Sequence, residues 1–136
     1  EEYYYSIKRL IAAAGYPPEE IELRGVNYDE MRKGCWDRDA RLEDMTTNHI
    51  AASLCFPNYP RFCGQIFSEA PDKELALLCI KAYNDWMVEE WCDPAIGVNI
   101  PLCIIPLWDV ELAAEEIQRN AAKPWANGLA YDLGLT

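Results

Sequence analysis

The side chains able to do acid–base, nucleophilic or metal chemistry are few in this chain and widely spaced. There is one histidine, His49, and a single imidazole cannot supply a His-rich metal site. No H-x-H, H-E-x-x-H or Gly-x-Ser-x-Gly pattern occurs, and no glycine-rich phosphate loop. The six cysteines are Cys35, Cys55, Cys63, Cys79, Cys92 and Cys103, with no C-x-x-C spacing. Cys55, Cys79 and Cys103 lie inside apolar patterns, where a thiol packs as a small hydrophobe, so reduced core cysteines are expected. Glu89-Glu90 and Glu115-Glu116 are neighbours on helical patterns, point to different faces and read as solvated surface. His49 closes a helical pattern and reads as a helix-end cation or a solvated residue rather than a ligand.

Two apolar runs would have to position any site. The first is Ile50 to Phe56, stopped by Pro57, and reads as a strand buried on both faces. The second is Val98 to Leu107. Its Pro101 and Pro106 confine regular pairing, expected over Leu102 to Ile105. Between the runs Asp72 can cap a helix reaching about Trp91, closed by Asp93-Pro94 and Gly97. Leu75, Leu78, Cys79, Ala82 and Trp86 form one stripe at helical spacing, widened by Tyr83, Met87 and Trp91, and this stripe is the expected core face. Asp109 can cap a further helix with Val110, Ala113, Ala114, Ile117 and Ala121 on one face, ended by Lys123-Pro124.

Upstream, helical spacing over Tyr3 to Ala14 ends at Gly15, Glu19 to Gly34 is irregular, and Asp37 can cap a helix from about Arg38 to Asn48. The loop Pro57 to Pro71 is long; either it is functional, as loops at the carboxyl end of a strand often are, or it is a surface excursion pinned by its own aromatics. Strand, helix, strand, helix is the repeat of a parallel α/β protein, whose chemistry gathers at the carboxyl ends of the strands. Two parallel strands do not make a stable sheet alone, and open edges invite association.

With 136 residues the chain is one modest domain. Its 12 basic and 23 acidic residues give a net charge of −11, which argues against nucleic acid and anionic membranes as partners. No apolar run has the ~18 residues of a membrane span. The chain opens on Glu1-Glu2 with no basic leader and no initiator Met, as expected of a cytoplasmic protein met as a processed form or a fragment.

Several segments carry a family resemblance: Arg32-Lys33-Gly34-Cys35-Trp36-Asp37, Arg41-Leu42-Glu43-Asp44-Met45, Ala52-Ser53-Leu54-Cys55-Phe56-Pro57, Pro60-Arg61-Phe62-Cys63-Gly64-Gln65, Ala82-Tyr83-Asn84-Asp85-Trp86-Met87, Ile105-Pro106-Leu107-Trp108-Asp109 and Glu111-Leu112-Ala113-Ala114-Glu115-Glu116. In order and spacing they resemble the metal-dependent amidohydrolase-related family that includes aminocarboxymuconate-semialdehyde decarboxylase. The resemblance implies a (β/α)8 TIM barrel that binds zinc or a similar divalent metal and hydrolyses C–N bonds or decarboxylates. Ile50 to Phe56 and Ile100 to Leu107 would be its second and third strands. The implied fold is α/β, a partial barrel of about two parallel βα units (residues 35–123), with an N-terminal helical insertion or lid (1–34) and a tail (124–136). Arg32 matches a position that binds the substrate carboxylate, its other reading being a surface arginine. Trp36 shares its motif, and Arg61 and Trp108, near strand ends, would line the pocket.

The family's first-strand metal motif, mid-barrel histidines and late aspartate have no counterpart here, and a whole barrel needs ~250 residues. No metal is therefore expected to bind this chain alone. Two function classes follow. One is a partial hydrolase or decarboxylase for a small carboxylated substrate, inactive by itself. The other is a non-catalytic interaction subunit that self-associates through open strand edges. A small redox protein using the cysteines is a third, weaker reading.

Overall fold

The computed structural model describes residues 17–20, 27–92 and 97–123. The expected helix over Tyr3 to Ala14, the stop at Asp93-Pro94 and the tail 124–136 lie outside the described residues. The chain divides into two compact units, Glu1–Ala51 and Ala52–Thr136.

In the first unit, single turns at Pro18–Glu20, Tyr28–Glu30 and Lys33–Cys35 lead into helix α1, Arg38–Thr47. Asp37 starts α1 as expected, its carboxylate accepting the Ala40 N–H at 2.8 Å. The helix buries Met45. Its end is a complete left-handed cap: His49 has φ 57°, its N–H donates to Thr46 O, and the Ile50 N–H donates to Met45 O. The lone histidine is thus exposed and occupies the position that glycine takes most easily. His49→Gly is expected to stabilise this unit by about 1 kcal/mol, because it relieves a left-handed L-residue. Urea denaturation checks the sign; a loss of stability would mean that the imidazole does more than end a helix.

In the second unit, β1 (Ser53–Cys55) pairs in parallel with β2 (Asn99–Pro101), with Ser53 opposite Asn99 and Cys55 opposite Pro101. Between them run α2 (Gln65–Glu69), α3 (Lys73–Trp86) and a π-helical turn over Met87–Cys92; α4 (Val110–Ala121) follows β2. Asp72 caps α3 through the Leu75 N–H, and Asp109 caps α4 through Glu111 and Leu112. The strand–helix–strand–helix order is the one expected.

The run Ile50 to Phe56 is strand only over Ser53–Cys55 and is not buried on both faces, since Leu54 and Phe56 are exposed. Three further expectations are corrected. First, β2 occupies the head of its apolar run, not Leu102 to Ile105. The Ile104 N–H and C=O are both taken by the Asn84 side chain, so a side chain replaces a ladder neighbour there. Second, α3 is turned away from most of its apolar stripe, of which only Met87 is buried. Its buried residues are Ala76, Ile80 and Asn84, continued by Met87, Val88 and Cys92, whereas Leu75 is 57% and Leu78 64% exposed and Cys79, Ala82 and Trp86 face outward too. Asn84 decides the rotation: its bonds to Ile104 require it to face inward, and the stripe lies on the far side of the helix. Third, α4 exposes Val110 and Ala114 and buries Glu116 and Asn120. Replacing Leu75 and Leu78 by lysine is expected to change stability by no more than ~0.5 kcal/mol each, as at other solvated positions. Chemical denaturation of the double variant tests this.

Candidate functional site

The two stretches that leave the carboxyl ends of β1 and β2 meet. After β1 the chain bends sharply, with Arg61, Cys63 and Gly64 all at positive φ (60°, 53° and 75°). Gly64 is buried, and a Cβ there would lie 3.3 Å from Ile104 Cβ, so the loop closes directly onto the segment after β2. At Gly64 the long loop therefore packs at the strand ends, while Tyr59, Arg61 and Cys63 beside it are exposed.

Each expected site residue is held by a local partner. The Arg61 guanidinium donates to Glu69 at 3.1 Å, from a half-open surface position. Trp108 has the Lys73 ammonium 5.1 Å from its ring, a cation–π contact between the loop after β2 and the start of α3. In the first unit, Arg32 and Trp36 bracket the Lys33–Cys35 turn. The Trp36 indole N–H donates to Tyr28 O at 3.0 Å, with the two rings 5.5 Å apart. Arg32 grips Asp44 with a two-pronged fork, Nε to Oδ2 at 2.9 Å and Nη2 to Oδ1. Hydrogen bonding from Arg32 is the main cause that holds the Asp44 carboxyl below its usual range. Gly34 makes room: a Cβ there would fall 2.2 Å from Asp44 Oδ2.

The sequence did not reveal the most connected polar group of the second unit. Glu116 was expected to be solvated and is 1% exposed. Its Oε1 accepts from Asn84 Nδ2 (2.7 Å), Asn120 Nδ2 (2.8 Å) and Arg119 Nη2 (2.7 Å), and its Oε2 from Arg119 Nε (2.8 Å). Arg119 continues to Asp85 at 2.6 Å, and Lys123 bridges Asp85 and Glu89. Burial pushes the Glu116 carboxyl up, but the donors of Arg119, Asn84 and Asn120 outweigh it, and the net shift is downward. The i, i+3 spacing of Glu116 and Arg119 was readable; the approach of Asn84, 32 residues away, was not.

No disulfide joins the six cysteines, all of which lie among the described residues. Cys79 is exposed rather than in the core, as are Cys35 and Cys63; Cys55 and Cys103 are half-buried and Cys92 is buried. Burial pushes the Cys103 thiol up to about 11, and Cys92 is raised chiefly by its hydrogen bond with Cys55, then by burial. Such thiols are poor nucleophiles near neutral pH. Ellman's reagent is expected to titrate Cys35, Cys63 and Cys79 quickly in the native chain, and Cys92 and Cys103 only after unfolding. Fast native reaction of Cys92 would revive the redox reading.

Among the described residues, no group of three or more His, Cys, Asp or Glu side chains is arranged to hold a metal ion. No described helix is long and apolar enough to cross a membrane. A family model described as amidohydrolase matches residues 9–132, nearly the whole chain.

The chain belongs to the amidohydrolase family.

No curated protein matches it. The amidohydrolase match takes in both units and both strands, and it extends past the segments that carried the resemblance. Amidohydrolases are generally metal-dependent hydrolases, and the described side chains of this one do not fit the metal. What this amidohydrolase chain does display is a parallel strand pair whose carboxyl-end loops meet at Gly64 and Ile104, with Ile104 tied to α3 by Asn84.

Proposed function

We propose that this chain supplies about two βα units of a (β/α)8 barrel enzyme, a metal-dependent hydrolase or carboxy-lyase acting on a small carboxylated substrate. In the first unit Arg32 is the substrate-carboxylate residue, with Trp36 beside it; in the second unit Arg61 and Trp108, on the loops after β1 and β2, are the substrate-binding residues. The zinc-type ion of that enzyme is held by strands other than these two, so the chain alone is inactive. Its acidity fits a cytoplasmic protein with no nucleic-acid or membrane partner.

The observation that carries this reading is the amidohydrolase match across residues 9–132, on a chain whose strands are parallel and whose loops converge at their carboxyl ends. Metal analysis of the purified chain, with assays on amide and carboxylated substrates, tests it. Trace metal and no turnover are expected; stoichiometric zinc with turnover would overturn the claim of inactivity.

A second reading, a non-catalytic subunit that associates with another chain or with itself, is favoured by the outward stripe of α3 and by exposed Leu54 and Phe56 at β1. Light scattering separates the two. Concentration-dependent association that Leu75→Lys with Leu78→Lys abolishes would support the subunit; a monomer at all concentrations would remove it.

A further inference from the structure

The fork of Arg32 is not empty: a carboxylate of the chain's own already lies in it. Asp44 reaches it from α1, with Nε to Oδ2 at 2.9 Å and Nη2 to Oδ1 as the second prong. The seat is shaped as well as charged. Its floor is the Cα of buried Gly34, where a Cβ would lie 2.2 Å from Oδ2. The seat is also within reach of solvent, with the Arg32 side chain 43% and the Asp44 side chain 27% exposed. A planar guanidinium recognises any carboxylate in this two-bond geometry, whether it arrives on a ligand or on a side chain.

We propose that Asp44 is an internal plug in a carboxylate seat formed by Arg32 and Gly34, and that a ligand carboxylate binds there by displacing it. This rests on the reading above that Arg32 receives the substrate carboxylate, and it adds a control to it. Occupancy by Asp44 lowers the apparent affinity by the fraction of time the fork is filled. Any movement of α1 that withdraws Asp44 opens the seat, and Arg32 needs no new rotamer to use it.

The test is benzoate titration of the full chain at constant ionic strength, read at the Arg32 Nε–H resonance. Asp44→Ala is expected to bind benzoate about tenfold more tightly than the wild type, and the double variant Arg32→Ala with Asp44→Ala is expected to lose the binding. Equal affinities in wild type and Asp44→Ala would overturn the plug and leave the Arg32 reading standing. A folded Asp44→Ala that binds no benzoate would overturn both. Asp44→Asn, which keeps the shape and removes the charge, carries the same comparison if the alanine variant does not fold.

Discussion

Asn84→Ala is expected to destabilise the second unit by about 3 kcal/mol, because one small side chain satisfies three buried groups there. Its amide donates to Ile104 O and to Glu116 Oε1, and its oxygen accepts the Ile104 N–H. Alanine leaves the amide and carbonyl of a 2%-exposed residue without partners and takes one donor from a buried carboxylate. Asn84→Asp is informative beside it: it keeps the shape but sets a second carboxylate against Glu116, and is expected to be at least as damaging. Urea denaturation followed by tryptophan fluorescence measures both, since Trp86 and Trp91 closely follow Asn84 in sequence. A loss under 1 kcal/mol for the alanine variant would mean that Ile104 is not held in this way.

Glu116→Ala carries the second large effect, about 3 kcal/mol at neutral pH. Removing one partner of a buried pair costs more than the pair itself contributes. The value falls at the low end of the usual range because Arg119 is a third exposed and keeps Asp85. The effect should depend on pH with a definite sign. The folded Glu116 carboxyl lies below its ordinary 4.5, so its stabilisation is complete above that value and is lost as pH falls through the folded value. Asp85 behaves in the same way: burial pushes it up, Lys123 and Arg119 pull it down further, and the net shift is downward. Wild type and Glu116→Gln should therefore differ most near neutrality and converge in acid, with a residual slope from Asp85. A difference that grew below pH 4.5 would reverse the assignment.

At these two positions local pattern is silent, although it decides much elsewhere. The caps at Asp37, Asp72 and Asp109, the parallel strand pair and the helix between its strands all follow from local pattern, and all three aspartates bond the backbone amides expected of caps. The resemblance implied that Arg32 holds a substrate carboxylate; its fork on Asp44, twelve residues on, was not foreseen. His49 was legible as a helix end, although its left-handed φ was not.

What the sequence determined by itself is what neighbouring residues decide: where helices begin and end, and membership of the amidohydrolase family through motifs in order. What only the tertiary structure decided is which side of each helix turns inward. On α3 the apolar stripe and the Asn84 face are both plausible interiors by periodicity alone. The choice fell to hydrogen bonds spanning 20 and 32 residues, because a buried polar group must be paired while an exposed leucine costs little.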